Sequence, residues 1–444
     1  MNKMGSTIPP QDVRSVLHRH LIADGLDMVL DMARSSGCYI RDELSERTFI
    51  DFFGFYASNA LGMNHPGLTE DEAFRQRLMQ AALNKVTNTD IYTTHMARFV
   101  DTFSRVAIPS YLPHAFFISG GALAVENALK AAFDWKVQKN FTKGYRTERG
   151  SKVIYLDQAF HGRSGYTLSL THSSDPRKTQ YYPQFDWPRI TNPAANGKLT
   201  DQELEVVREE EELAVRQAKQ YFHDHPDDIA AIIAEPIQGE GGDNHFRPEF
   251  LKSLRDLADE NDSLLIFDEV QTGVGLTGSF WAHQGLGVKP AILAFGKKIQ
   301  VCGILGGRRL DEVSNNVFNT SMRINSTWGG NLVDMVRFDR TLEIIESDDL
   351  VAHARQVGDY LQAQLYRLSE TFDSVEKPRG RGLMCAFDMP SAEGRNRLKQ
   401  RCFEAGLILL GSGPRTIRFR PPLTITRETV DEGMEILREE IQSM

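Results

Sequence analysis

Five short apolar runs, at 115–118, 153–156, 229–234, 264–267 and 292–294, alternate through the middle of the chain with stretches of helical periodicity. Strands that alternate with helices in this way predict a mostly parallel α/β sheet. The helix expected before the fourth run carries Leu251, Leu254, Leu257 and Ala258 on one face. No internal repeat is visible, which disfavours a solenoid or a propeller.

Two of the runs end in charge. The run at 264–267 leads into Asp268 and Glu269, and the run at 292–294 leads through Phe295 and Gly296 into Lys297 and Lys298. In an open parallel sheet, groups at strand C-termini face a shared crevice where ligands bind. An Asp and a Lys delivered there are the two groups that pyridoxal 5'-phosphate chemistry needs. The lysine amine attaches to the cofactor aldehyde, and the carboxylate keeps the ring nitrogen protonated so that the ring accepts electrons. The plain alternative is a pair of strand-end surface charges.

The flanking regions read differently. Residues 10–35 show helical turns with a break near Asp24 and Gly25, and residues 38–56 read as a strand pair. The stretch 201–223 is charged and helix-prone, the usual signature of a solvated helix face. After Asn331 the pattern becomes a long helix, followed by strand-like pieces at 382–388 and 416–420 and a final helix from Arg427. The division expected is an N-terminal segment at 1–63 that packs with the small domain, a large cofactor-binding domain at 64–330, and a small C-terminal α+β domain at 331–444.

Composition narrows the partners. The net charge is −9, which argues against a nucleic-acid footprint. The four cysteines, Cys38, Cys302, Cys385 and Cys402, have no metal-ligand or redox spacing, so reduced thiols are expected. The start, Met1 to Ser6, lacks the apolar core of a signal peptide, and no run is long enough to span a bilayer. A cytoplasmic protein with no membrane partner is the expectation.

Several turns could carry chemistry. Ser119-Gly120-Gly121-Ala122 follows an apolar strand and opens a helix, where free amides and a positive dipole end favour a phosphate. It lacks the full dinucleotide fingerprint. Phe160-His161-Gly162-Arg163 offers an aromatic face for a flat ring and an arginine for a carboxylate, with a structural histidine between them. Glu235 to Gly242 is a polar, glycine-rich segment at a strand end, and Asn325-Ser326-Thr327-Trp328-Gly329-Gly330 has the donors of a phosphate-binding turn. Each could also be an ordinary loop.

Together these segments resemble the class III pyridoxal-phosphate aminotransferases, the group that includes ornithine, acetylornithine and 4-aminobutyrate aminotransferases. The resemblance runs from about residue 64 to residue 422. Eight pieces stand in family order: Gly-Gly-Ala-Leu-Ala-Val-Glu-Asn-Ala-Leu-Lys (120–130), Phe-His-Gly-Arg (160–163), Ala-Glu-Pro-Ile-Gln-Gly-Glu-Gly-Gly (234–242), Phe-Asp-Glu-Val-Gln-Thr-Gly (267–273), Phe-Gly-Lys (295–297), Ser-Thr-Trp-Gly-Gly-Asn (326–331), Arg-Gly-Leu-Met (381–384) and Arg-Phe-Arg-Pro-Pro-Leu (418–423). Three departures, Leu123 where the family usually has Glu, Val274-Gly275-Leu276 in the glycine turn, and Lys298 to Gly303 after the lysine, look like the lysine ε-aminotransferase branch.

The resemblance implies an aspartate-aminotransferase fold and a homodimer with shared active sites. It implies transfer of the ε-amino group of L-lysine to 2-oxoglutarate. In roles, it implies Lys297 as covalent anchor and proton carrier, with Lys298 as fallback, and Asp268 at the ring nitrogen. Gln271 falls at the ring hydroxyl and Phe160 on the ring face. Gly121, Ala122 and a partner's Thr327 fall at the phosphate. Arg163 and Arg418 fall at the substrate carboxylates, with Glu240 masking Arg418 during the lysine half-reaction and Asn325 near the site. A mutase or decarboxylase of the same fold, or an ornithine or 4-aminobutyrate aminotransferase, shares the Asp and the Lys. A nucleotide-binding protein would explain the glycine turns alone, and a non-catalytic interaction protein would explain none of the eight.

Overall fold

The computed structural model describes residues 8–444. The expectation for Met1 to Ser6 lies outside the described residues. A seven-stranded sheet forms the centre: β1 (His114–Ile118), β2 (Lys152–Leu156), β3 (Arg189–Ile190), β4 (Ile229–Ala234), β5 (Leu264–Asp268), β6 (Ile292–Phe295) and β7 (Cys302–Gly306). Their spatial order is β1-β7-β6-β5-β4-β2-β3. Only β7 runs against its neighbours, pairing antiparallel with both β6 and β1. The runs read from the sequence include none at 302–306, and the place of this strand is set by its pairing with β6 and β1.

Burial on both faces explains the continuous apolar runs. Val153, Tyr155, Ala231, Ile233 and Ile266 face one side, against Val125, Ala128, Leu129, Ala132 and Trp135 of helix α1 (Gly121–Thr142). The alternate residues Ile154, Leu156, Ile232, Ala234 and Leu265 face the other side. There they meet Ala214, Ala218 and Phe222 of α2 (Asp201–Asp224) and Phe250, Leu251, Leu254 and Leu257 of α3 (Pro248–Glu260). The charged helix α2 therefore has one buried stripe beneath its acidic face. Its start is fixed by a capping box between Thr200 and Glu203.

An early and a late segment of the chain meet in a second region. Strands Glu376–Arg381, Met384–Asp388, Thr416–Phe419 and Leu410–Ser412 form a four-stranded antiparallel sheet. Thr48–Asp51 pairs antiparallel with Tyr39–Arg41 and parallel with Leu407–Ile408. Two local expectations differ. The N-terminal helix spans only Val13–His18. Beyond it, Leu21, Ile22 and Leu26 are exposed, so nothing rewards continuing the helix. The long helix after Asn331 is two, Leu332–Ser347 and Leu350–Thr371, separated where Asp349 takes a left-handed conformation.

Candidate active site

Parallel pairing of β5 with β6 sets Ala294 opposite Asp268. Lys297 follows Ala294 by three residues, so both charges leave the sheet at the same end of adjacent strands. A cavity of about 290 Å³ opens there. Gly121, Ala122, Phe160, Arg163, Glu240, Asp268, Gln271 and Lys297 all line it, together with His161, Gly162, Glu235 and Val270.

The two adjoining carboxylates at the end of β5 part company. Glu269 turns away and is buried, accepting from the backbone N–H groups of Ala282 and His283 and pairing with His283 Nδ1 at 2.7 Å. Asp268 stays in the cavity. Its Oδ1 accepts from the Val270 N–H at 3.0 Å, and its Oδ2 lies 2.8 Å from His161 Nδ1. His161 is buried and its Nε2 has no partner among the described residues.

Glu235 closes the floor. It accepts from the Phe160 and Gly239 N–H groups, both at 3.0 Å, which ties two cavity-lining loops to the end of β4. Burial pushes its carboxyl up to about 7, helped by the nearby charge of Asp268. Lys297 occupies a one-turn 3-10 segment with φ +51. Burial lowers its amine to about 8, and the positive charges of Arg418 and Arg420 push the same way. Lys298 points elsewhere. It is fully buried with its amine unpartnered among the described residues, and burial holds it well below an ordinary lysine.

An anion cradle faces these groups. Gly120 precedes α1 with φ +109, a conformation that glycine adopts without strain. No side chain caps α1 and its first turn carries no acid, so its leading N–H groups are open. A Cβ on Gly121 would come within 3.0 Å of Val270, so the backbone must approach closely here.

The arginines divide. Arg163 is exposed at the cavity rim. Arg418 is buried, and its Nη1 reaches Gln271 Oε1 at 3.4 Å. Arg420 donates to the same oxygen at 3.1 Å and is ion-paired with Asp243. Glu240 is not paired with Arg418. Its Oε1 is ion-paired with Lys178 and accepts from Ser173 Oγ at 3.2 Å. Thr327 and Asn325 lie on an exposed loop outside the cavity. The sequence reading missed His161, Glu235, Arg420 and Lys178 as site residues. A signal existed for the first two, since both sit in glycine-containing segments that follow sheet strands.

Residues 22–441 match the class III aminotransferase family, and the chain belongs to it. L-lysine-epsilon aminotransferase of Mycobacterium tuberculosis is 53% identical over 435 residues, spanning 98% of this chain and 96% of the relative. Its counterpart from Amycolatopsis lactamdurans is 50% identical, with the same coverage. The solved lysine aminotransferase from M. tuberculosis, in its internal aldimine form, superposes with a TM-score of 0.96 at 52% identity, covering 98% of this chain and all of that one. The fold is therefore the pyridoxal 5'-phosphate-dependent transferase type, and pyridoxal 5'-phosphate is the cofactor of the family. The uncapped start of α1, the buried Asp268 and the buried amine of Lys297 fit that group in charge and polarity.

Proposed function

We propose that the protein transfers the ε-amino group of L-lysine to 2-oxoglutarate. The products are 2-aminoadipate 6-semialdehyde, which cyclises to piperideine-6-carboxylate with loss of water, and L-glutamate. The observation that carries this is one cavity in which Asp268 and Lys297 stand beside Arg163 and Glu240, with Arg418 reached through Gln271. Two arginines suit a reaction whose two substrates present different carboxylates. The strong likeness to lysine-epsilon aminotransferases supports the choice of amine.

The residues would divide the work as follows. The amides of Gly121 and Ala122, with Thr327 of a second copy, hold the cofactor phosphate. Phe160 covers the ring, Gln271 meets its hydroxyl, Asp268 meets its nitrogen, and Lys297 anchors it. Bound there, the cofactor stores the amino group between half-reactions and withdraws electrons from the substrate carbon. His161 orients Asp268 through the 2.8 Å contact of its Nδ1 with the carboxylate. Lys297 Nζ takes the proton from the carbon that bears the amine and returns it, a duty that suits an amine held near neutral pH. Arg163 holds the lysine α-carboxylate and then the distal carboxylate of 2-oxoglutarate. Arg418 takes the 2-oxoglutarate α-carboxylate, Glu240 governs its access, and Asn325 contributes near the site.

We further propose a homodimer. The exposure of Thr327, Asn325, Trp328 and Met322 on one loop supports it. We also propose the three-part division at residues 63/64 and 330/331. A cytoplasmic location agrees with four free, buried cysteines. No helix among the described residues is long and apolar enough to cross a membrane.

Product analysis tests the function. Lysine, ornithine and 4-aminobutyrate are each supplied with 2-oxoglutarate, and glutamate and the carbonyl product are quantified. Lysine should be consumed fastest and should give piperideine-6-carboxylate. Faster use of 4-aminobutyrate or ornithine would reassign the donor, and carbon dioxide release without glutamate would indicate a decarboxylase.

A further inference from the structure

We propose that Lys178 is a second docking point for Glu240. On this view the Glu240 carboxylate swings between Arg418 and Lys178, and its position sets which carboxylate the site admits. The inference rests on the two-substrate reading above.

The geometry holds Glu240 in the open position. Asp175 accepts from the Arg177 N–H at 3.2 Å and caps the short turn Pro176–Lys178, fixing the backbone that carries Lys178. The Lys178 ammonium pairs with Glu240 and lies 5.9 Å from the centre of the Phe160 ring. The Glu240 backbone is itself pinned, since its carbonyl accepts from the Gly413 N–H at 2.8 Å. Only the side chain is then free to move.

Both ends of the swing have an open bonding position. Glu240 Oε2 and Arg418 Nε are each buried without a hydrogen-bond partner among the described residues. Glu240 also counts among the anions whose charge acts on Arg418, although the two form no ion pair. The Glu240 side chain keeps only 21% of its exposure. A carboxylate so placed cannot leave one cation without meeting another, because an uncompensated buried charge is strongly disfavoured. Lys178 and Ser173 supply that compensation. With a partner at each end, a substrate carboxylate that binds one arrangement better shifts the balance towards it. Glu240 also stands at the boundary between the inner cavity and an outer cleft walled by Lys178, Arg395 and Lys399.

The test compares Lys178→Met, Lys178→Arg, Glu240→Ala and the double variant Lys178→Met/Glu240→Ala as holoenzymes. Each half-reaction is followed separately by the cofactor absorbance, and glutarate, which cannot react, reports dicarboxylate affinity. Without Lys178, Glu240 should stay on Arg418. The 2-oxoglutarate half-reaction should then lose about tenfold in kcat/KM relative to the lysine half-reaction, the scale of one charge-assisted hydrogen bond at a partly open site. The loss should sit in KM, glutarate should bind correspondingly more weakly, and Lys178→Arg should restore both. In the Glu240→Ala background, adding Lys178→Met should change nothing further. An equal loss in that background would mean that Lys178 attracts the substrate directly, and the docking role would be wrong. If Glu240→Ala alone leaves the preference for lysine over glutamate unchanged, the gating reading beneath it fails, which is a separate outcome.

Discussion

The depressed amine of Lys297 gives the sharpest test of the site's electrostatics. At about 8 rather than the ordinary 10.5, the amine is far more often neutral at pH 7. About one molecule in ten then carries a free amine, against about one in three thousand for an ordinary lysine, an increase of about 300-fold. Burial is the largest cause, Arg418 and Arg420 add to it, and Asp268 and Glu235 oppose it. Single changes should therefore move the amine in opposite directions. Arg418→Gln should raise it, though not to 10.5, because burial remains. Asp268→Asn should lower it further. Competitive labelling of the apoenzyme with trace acetic anhydride across pH, read by mass spectrometry at Lys297 and at exposed lysines, measures each amine's titration. Lys298 should label slowly at every pH, because its amine is sealed in the interior. A midpoint for Lys297 above 10, or shifts of the same sign in the two variants, would refute the reasoning.

Other expectations follow from single contacts. Lys297→Ala should still bind cofactor through the α1 amides but lose turnover. Borohydride reduction followed by peptide mapping should find no labelled lysine, and a label on Lys298 would move the anchor. Asp268→Ala should slow both half-reactions by orders of magnitude, and near-normal rates would remove Asp268 from the ring nitrogen. Glu235 titrates at about 7 in the folded protein against an ordinary 4.5. The unfolded chain therefore releases this proton first, and the stability that the protonated carboxyl contributes is present below 4.5 and lost as pH rises through 7. The loss amounts to about 3 kcal/mol. The difference in melting temperature between wild type and Glu235→Ala should accordingly vary between pH 5 and 8, and a constant difference would show that Glu235 does not titrate there. Leu254→Ala should cost about 2–5 kcal/mol in urea unfolding, since the side chain is fully buried between α3 and the sheet.

The sequence by itself determined the centre of the molecule. Runs such as Ile229–Ala234 and 264–267 are apolar at every position because each strand is covered on both faces, so burial writes the strand into local composition. The charges at their ends were legible for the same reason, since the apolar run stops where the sheet meets the cavity. Helix α3 was legible from one face of leucines. Tertiary structure alone decided the rest. Strand β7 enters the sheet because its partners β1 and β6 lie on either side of it, which no local pattern records. His161 meets Asp268 across 107 residues, Lys178 meets Glu240 across 62, and Arg420 meets Asp243 across 177. A charged side chain shows in sequence only that it needs a partner or water. Which partner it finds depends on how distant loops are brought to one end of the sheet, and that was set by the fold.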